Sequence, residues 1–260
     1  MPPNGWGRPV AEAARHILIT GGAGQVGTEL TAAAWPQGMV LHAPDRQTLD
    51  LGDAASIETL FAGQRFDAVI NAAAYTAVDK AETEVAAAFT ANAMGPAFLA
   101  DATRKAGIPL IHVSTDYVFD GARTGAWVET DPVAPLGVYG ASKLAGELAV
   151  LSGNPRSVVL RTAWVLSPHR ANFLKTMLRL AADRPVLRVV DDQRGCPTSA
   201  RDIASALMAI ALRQIEDADA PCGVYHFVNA GEASWAELAR EIFALSEAQG
   251  GPTCVVEPIT

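Results

Sequence analysis

The alternation of short apolar runs with helix-length segments constrains the fold of this chain more than any other feature. Apolar runs at residues 16–20, 39–43, 67–71, 110–114 and 157–161 predict strands, and segments 28–35, 56–62, 85–105 and 138–151 predict the helices between them. Such alternation is typical of a parallel sheet covered on both faces. With right-handed crossovers, it predicts a doubly wound α/β sheet of the Rossmann type.

The second part of the chain is less regular and predicts a smaller C-terminal substrate lobe. Helices are expected at 172–182, 200–214 and 234–248, strands at 224–228 and 254–256, a polar loop at 191–198 and an acidic surface connection at 215–222. We therefore expect a flexible extension at 1–15, a dinucleotide-binding domain at 16–163 and a substrate lobe at 164–260. Residues 200–228 are expected to return to the Rossmann sheet.

A glycine-rich loop follows the first predicted strand. The run Gly21-Gly-Ala-Gly-Gln-Val-Gly27 fits both G-x-G-x-x-G and G-x-x-G-x-x-G. Glycines permit the tight turn and let backbone N–H groups approach a pyrophosphate at a helix N-terminus. The loop therefore predicts a dinucleotide site at Gly21, Gly24, Gln25, Val26 and Gly27; the alternative is a strand-to-helix turn that merely favours glycine.

The residues after the second predicted strand bear on which dinucleotide binds. Asp45 could hold a ribose 2′-hydroxyl, and Arg46 could pair with a 2′-phosphate, so NADPH is favoured and NADH is the alternative. Asp50 and Leu51 are expected to flank the adenine. The competing interpretation is a solvated charge pair in a turn.

Tyr139 and Lys143 lie four residues apart on a predicted helix and so share one face. An ammonium beside a phenol is expected to lower its pKa from about 10, so that Tyr139 can protonate a carbonyl oxygen while the dinucleotide supplies hydride. The pattern predicts a carbonyl reductase. Alternatively, the two residues are a surface pair, with Lys143 bridging Glu147.

Two further candidates follow strands of the predicted sheet. Thr115, in the run Ser114-Thr-Asp-Tyr117, is placed to hydrogen-bond a substrate oxygen. Alternatively, these side chains only hydrogen-bond the backbone of their own turn. Trp164, after the fifth strand, is suited to stacking on a sugar or nucleobase, with a core position as the alternative.

Composition excludes several classes of function. The net charge of -8 argues against nucleic acid as a partner. The sequence also contains no apolar run of about 18 residues, so no membrane-spanning helix is expected. The three cysteines have no C-x-x-C spacing, so neither a disulfide framework nor a structural zinc site is expected. The chain is therefore expected in the reducing cytoplasm.

Taken together, the motifs resemble those of the dTDP-4-dehydrorhamnose reductases, which are extended short-chain dehydrogenases/reductases. The resemblance runs from about His16 to the end and is carried by Gly21-Gly-Ala-Gly-Gln-Val-Gly27, Asn71-Ala-Ala-Ala-Tyr-Thr-Ala-Val-Asp-Lys-Ala-Glu82, Ser114-Thr-Asp-Tyr-Val-Phe-Asp-Gly121, Val138-Tyr-Gly-Ala-Ser-Lys-Leu-Ala-Gly-Glu147, Arg161-Thr-Ala-Trp-Val165, Asn172-Phe-Leu-Lys-Thr-Met-Leu178 and Asp192-Gln-Arg-Gly-Cys-Pro-Thr198.

The resemblance implies reduction of the C4 ketone of dTDP-4-dehydro-L-rhamnose by NAD(P)H, the last step of dTDP-L-rhamnose synthesis. Tyr139 would be the general acid, Lys143 would tune it and hold the nicotinamide ribose, and Thr115 would complete the triad. The other implied positions are Asp116, Tyr117 and Trp164 near the sugar, Ala73, Ala74, Thr76 and Val78 along the cofactor, and Asn92 supporting Lys143 through water.

The family pattern also leaves alternatives. Its members continue some tens of residues beyond the equivalent of Thr260, with an arginine-containing segment that helps to close the substrate site. Some form a Mg²⁺-bridged homodimer; Glu29 lies near one such position, but no ligand set is assigned. The rival functions are a non-catalytic NADP-binding regulatory subunit, as in the methionine adenosyltransferase β subunit, and a reductase or epimerase for another nucleotide sugar.

Overall fold

The structure is a computed structural model, and it describes residues 14–260. Its centre is a six-stranded sheet in the order β10-β5-β4-β3-β1-β2, with every neighbouring pair parallel. The strands are β1 Arg15–Thr20, β2 Met39–His42, β3 Ala68–Asn71, β4 Leu110–Thr115, β5 Ser157–Thr162, β6 Val165–Leu166, β7 Val186–Val190, β8 Arg194–Gly195, β9 Thr198–Ser199, β10 Gly223–His226, β11 Ala233–Ser234 and β12 Val255–Ile259. The predicted doubly wound parallel sheet is confirmed.

Nine α-helices are assigned within the described residues. They are α1 Gln25–Ala32, α2 Ala54–Gly63, α3 Val78–Ala81, α4 Val85–Phe89, α5 Gly95–Ala106, α6 Val138–Gly153, α7 Phe173–Ala181, α8 Ala200–Glu216 and α9 Trp235–Glu247. Side-chain caps explain where several begin: Asp53, Asn172 and Ser199 each accept a hydrogen bond from the first turn of α2, α7 and α8, and Ser234 forms a full capping box with Glu237 at α9.

The sheet has an apolar core on each face because successive strand residues point to opposite sides. On one face, Ile17 and Ile19 pack with Leu30 of α1 and with Ile203 and Leu207 of α8. The opposite core contains Leu18, Leu49, Ile57, Phe66, Val69, Leu99, Leu110, Val150 and Val159. Thus α8 covers the sheet and β10 extends its edge beside β5, although both follow the first residues of the smaller lobe.

The smaller lobe has its own apolar cluster between α7 and α9, with Met177, Leu187, Ala239 and Phe243 at its centre. A two-stranded parallel sheet of β7 and β12 closes it. Strand β7 was not predicted, since its alternation of buried and exposed residues covers only five positions. The predicted polar loop at 191–198 instead contains β8 and β9, which pair with β11 and β6.

Several boundaries differ from the predictions. Helix α1, predicted at 28–35, begins at Gln25 because Gly24 is its extended N-cap, and it ends at Ala32. The predicted helix 85–105 is divided into α4 and α5 by a π-helical turn, Thr90–Met94. The predicted extension at 1–15 lies mostly outside the described residues, and Arg15 already belongs to β1. Within residues 14–260, no helix combines the length and apolarity needed to span a bilayer.

Candidate active site

The glycine loop joins β1 to α1 and forms a backbone cradle. A Cβ atom on Gly27 would lie 2.1 Å from the carbonyl oxygen of Gly21, so the loop closes only around glycine. A Cβ on Gly24 would meet only that same oxygen, at 3.2 Å, which leaves this side of the loop open. No side chain of residues 14–260 caps α1, and its first turn, which begins with Gln25 and Val26, carries no acidic residue. These amides and the positive helix end suit a pyrophosphate.

The charged turn after β2 is exposed and supports the two predicted roles unequally. The Oδ1 atom of Asp45 accepts hydrogen bonds from the N–H and the hydroxyl of Thr48, both at 2.9 Å, and these bonds lower the pKa of Asp45. The Arg46 side chain is 89% exposed and lies 4.0 Å from Oδ1 of Asp50. Arg46 is therefore available to a 2′-phosphate, whereas one oxygen of Asp45 already stabilises its own turn. Leu51 packs against the second core.

The segment after β3 lies beside the glycine loop. A Cβ on Gly21 would be 2.6 Å from the backbone nitrogen of Ala73, which itself donates to Oδ1 of Asn71 at 3.2 Å. Ala74 and Thr76 are exposed beyond this point, and Val78 begins α3. Four residues predicted to line the cofactor thus follow the strand neighbouring β1.

Asn92 lies in the π-helical turn and ties two segments of the site together. Its Nδ2 donates to the carbonyl oxygen of Tyr75 and to Oγ of Ser142, both at 3.0 Å, and its Oδ1 accepts from Tyr75 N–H at 2.7 Å. Both amide hydrogens are therefore used. The direct partner of Asn92 on α6 is Ser142, and the water-mediated link to Lys143 stays a prediction.

Lys143 is a buried ammonium group, only 2% exposed, and not a surface lysine. Its Nζ donates to the carbonyl oxygen of Val113 at 2.7 Å. Burial lowers the pKa of Lys143 to about 8, against the opposing charge of Glu147. At neutral pH the group is therefore largely protonated. Its burial excludes the solvated surface pair as an account of this lysine.

His112 lies beneath Lys143, and its hydrogen bonds define its tautomer. Oδ1 of Asn71 accepts from the Thr20 hydroxyl at 2.6 Å, so its Nδ2 faces Nδ1 of His112 at 2.9 Å. Burial and the charge of Lys143 hold the pKa of His112 well below its ordinary value. The imidazole is therefore neutral and protonated on Nε2, which lies 3.4 Å from Nζ of Lys143. Val113 consequently remains the hydrogen-bond acceptor of Lys143.

Tyr139 lies near the carboxyl end of β4 with its predicted partners. Its ring meets that of Tyr117 edge to face, with centroids 5.4 Å apart. Thr115 donates to Oδ1 of Asp116 at 3.0 Å and accepts from Tyr117 N–H at 3.2 Å. Burial raises the pKa of Asp116. The structure thus brings together two phenols, one aliphatic hydroxyl and one half-buried carboxyl from two adjacent segments.

The predicted lowering of the Tyr139 pKa is wrong for this structure. Burial raises the pKa of Tyr139 to about 12, an effect that the nearby Thr115 hydroxyl opposes and the negative charge of Asp116 reinforces. Lys143, turned toward the carbonyl of Val113, does not reverse the effect of burial. The phenol therefore carries its proton throughout the neutral range.

Glu147, one turn beyond Lys143, joins α6 to the ends of two strands. Its Oε1 accepts from Oγ of Ser114 at 2.5 Å and from Nε of Arg161 at 2.9 Å, and its Oε2 accepts from Nη2 of Arg161 at 2.7 Å. The Glu147 and Arg161 side chains are 2% and 7% exposed. This ion pair, which the sequence analysis missed, holds the residue before Thr115. The spacing from Lys143 was its only signal in the sequence.

Trp164 packs against a second tryptophan. Its ring stacks on that of Trp235 with centroids 3.4 Å apart and planes 5° apart. A Cβ on Gly195 would lie 2.4 Å from Cε2 of Trp164, so β8 approaches the same ring. Trp164 therefore belongs to an aromatic wall between β8 and α9, in which Trp235 covers one face of its ring. Its backbone lies at φ 46°.

Comparison with known proteins decides the family. The family model described as "RmlD substrate binding domain" matches residues 15–260. A dTDP-4-dehydrorhamnose reductase of Sinorhizobium fredii is 43% identical over 246 residues, which cover 94% of this chain and 83% of that relative. The chain belongs to the dTDP-4-dehydrorhamnose reductase family. The resemblance drawn from the motifs is confirmed.

Other members of the dTDP-4-dehydrorhamnose reductase family agree in sequence and structure. The Escherichia coli protein of that name is 40% identical over 240 residues, covering 91% of this chain and 80% of that protein. The crystal structure of the Bacillus anthracis reductase in complex with NADP superimposes with a TM-score of 0.88 at 34% identity, covering 95% of this chain and 84% of that one.

The position of Glu29, considered for a metal, is explained by another contact. Oε1 of Glu29 lies 3.1 Å from Nε2 of His169. Among the residues that the structure describes, no group of three histidine, cysteine or carboxylate side chains is arranged to hold a metal ion. Glu29 thus joins α1 to the segment that precedes α7.

Proposed function

We propose that this chain catalyses the NADPH-dependent reduction of the C4 ketone of dTDP-4-dehydro-L-rhamnose to dTDP-L-rhamnose. The names of its relatives support the reaction, and the Bacillus anthracis reductase, in complex with NADP, supports the cofactor. The observation that carries the proposal is the half-buried, protonated Tyr139 beside Thr115, on the helix that also holds the buried ammonium of Lys143.

The glycine loop fits the cofactor because it offers open backbone amides and an uncapped helix end without a competing carboxylate. Gly21, Gly24, Gln25, Val26 and Gly27 would hold the pyrophosphate, and Arg46 would pair with the 2′-phosphate that distinguishes NADPH from NADH. Asp45, Asp50, Leu51, Ala73, Ala74, Thr76, Val78 and Asn92 remain proposed cofactor positions. When bound, NADPH supplies the hydride.

The residues around Tyr139 would supply the proton and orient the ketone. Tyr139 holds the proton that the developing alkoxide at O4 requires, since its raised pKa keeps it protonated at neutral pH. Thr115 is close enough to interact with the phenol and would hydrogen-bond the same oxygen. Lys143, whose pKa of about 8 leaves it largely charged at neutral pH, would bind the nicotinamide ribose. Asp116, Tyr117 and Trp164 would contact the sugar.

Replacing Tyr139 with phenylalanine tests the assignment. We expect Tyr139→Phe to lower kcat by about 10²- to 10⁴-fold, the usual contribution of general acid catalysis, with NADPH affinity nearly unchanged. The matched control is Tyr225→Phe on β10, a half-exposed tyrosine away from the site, which should keep the wild-type rate. A Tyr139→Phe enzyme as active as the wild type would refute the proposed acid.

The same experiment distinguishes the two alternatives. A wild-type chain that binds NADPH but never oxidises it in the presence of the sugar would match the regulatory-subunit interpretation. Oxidation with a different nucleotide sugar alone would indicate another reductase or an epimerase. We further propose a cytoplasmic homodimer; the three free cysteines accord with a reducing compartment, and light scattering of the purified chain tests the dimer.

A further inference from the structure

The segment between β6 and α7, residues 167–172, contacts the glycine loop and α1 at four points. Oε1 of Gln25 accepts hydrogen bonds from Ser167 Oγ at 2.9 Å and from Asn172 Nδ2 at 2.8 Å. His169 meets Glu29 of α1. Arg170 Nε donates to the carbonyl oxygen of Ala23 at 2.6 Å. We call residues 167–172 the clamp segment.

Arg170 is the residue of the clamp segment that carries a permanent positive charge to the loop. Only its Nε is engaged by Ala23, and Nη1 and Nη2 keep their hydrogens for another acceptor. No carboxylate of residues 14–260 lies within 4.0 Å of this guanidinium. In a chain with a net charge of -8, this arrangement places an arginine without a carboxylate partner beside an anion cradle.

The backbone of Arg170 supports a role for its side chain. Its φ angle is 56°, in the left-handed region that favours glycine and disfavours residues with a Cβ. Backbone strain of this kind persists where the surroundings impose it and occurs often at ligand-binding positions. The contacts of Ser167 and Asn172 on either side hold the segment in place and so aim Arg170 at the loop.

We propose that Arg170 is a phosphate-binding residue that contacts the diphosphate of a nucleotide seated on the glycine loop. The planar guanidinium, anchored through Nε, presents its two Nη groups as a pair, which suits bidentate recognition of phosphate oxygens. The diphosphate belongs to the dinucleotide cofactor or to the nucleotide sugar, and both share this chemistry. The inference rests on the proposed function, since that function places a dinucleotide at the loop.

The test compares Arg170→Gly with the wild type. Glycine relieves the backbone at φ 56°, so this variant removes the guanidinium without adding strain. The matched control is Arg179→Ala, which removes an exposed arginine near the end of α7. Dissociation constants for NADPH and for dTDP are measured by quenching of tryptophan fluorescence, at low and at raised salt.

We expect Arg170→Gly to weaken binding of one ligand by about 10- to 100-fold and to flatten its salt dependence, because a charge-assisted hydrogen bond is lost. Weaker NADPH binding identifies the cofactor diphosphate, and weaker dTDP binding identifies that of the sugar nucleotide. Arg170→Lys, which keeps a point charge, should lie between the two proteins.

Unchanged affinity of Arg170→Gly for both ligands, within about twofold, would overturn the assignment of Arg170 while leaving the proposed reductase intact. Failure of the wild type itself to bind NADPH would refute the proposed cofactor and Arg170's role at the cofactor diphosphate together. Measurements on the Arg170→Gly variant therefore test the role of Arg170, and measurements on the wild type test the proposed cofactor.

Discussion

Replacing Glu147 with glutamine should destabilise the whole catalytic region. The carboxylate accepts three hydrogen bonds, two from Arg161 and one from Ser114, and both members of the ion pair are buried. Removing one partner of a buried pair leaves the other charge uncompensated and costs about 3–5 kcal/mol. For a chain of this size that corresponds to a melting temperature lowered by roughly 6–20 °C. Thermal melts and urea titrations measure both quantities.

Two variants control for the loss of a negative charge. Glu58→Gln removes an exposed carboxylate on α2 and should change stability by less than about 0.5 kcal/mol. Glu147→Gln combined with Arg161→Met removes both charges and should recover much of the loss, because no unpaired buried charge remains. A Glu147→Gln protein within about 1 kcal/mol of the wild type would show that the buried pair does not stabilise the fold to this extent.

Three further perturbations follow from the geometry. Gly195→Ala should displace the ring of Trp164, since the added Cβ would lie 2.4 Å from that ring, and should lower the free energy of unfolding by about 1–3 kcal/mol. The stacked tryptophans should then lose their exciton signal in circular dichroism, and an unchanged signal would contradict the packing. NADPH binding should weaken as pH rises through about 8, where Lys143 loses its proton, and a flat profile would count against that lysine as a cofactor contact. Burial and the charge of His16 lower the pKa of His42 below 6.5, so the contribution of His42 to the free energy of unfolding is fully present above that pH and is lost as the pH falls below it. His42→Gln should reduce this decline, as measured by urea unfolding, and an equal decline in the variant would exclude His42 as its cause.

The sheet could be predicted from sequence because each of its main features is local. Five apolar runs of strand length alternate with helices, and the run from Gly21 to Gly27 is placed where strand becomes helix. Parallel strands that are buried on both faces consist of nearly uninterrupted apolar residues, so they can be located in the sequence without knowing which strands they pair with. The four-residue spacing of Tyr139 and Lys143 is enough to place both residues on one face of a helix.

Features that depend on distant partners could not be predicted in the same way. Strand β7 pairs with β12, more than sixty residues later by sequence number, and neither shows the pairing by itself. Trp164 was expected to stack on a ligand, but Trp235, from a helix far along the chain, occupies one face. Contacts of this kind are fixed by tertiary packing and leave no periodicity in the sequence.

The error in the Tyr139 pKa has a physical cause. Spacing places the lysine on the same helix face, but it reveals neither that Lys143 donates to Val113 nor that the surrounding protein desolvates the phenol. Desolvation disfavours the charged phenolate and outweighs the expected effect of the ammonium. Charge spacing on a helix predicts proximity, whereas the pKa depends on burial.

The central claim is that this chain transfers hydride from NADPH to C4 of the sugar. Its most direct test uses NADPH deuterated at the reactive position of the nicotinamide, with dTDP-4-dehydro-L-rhamnose as substrate and analysis of the product by mass spectrometry and NMR. We expect one deuterium per product molecule, bound at C4 of dTDP-L-rhamnose. A product without deuterium, or NADPH that stays unconsumed although it binds, would contradict it.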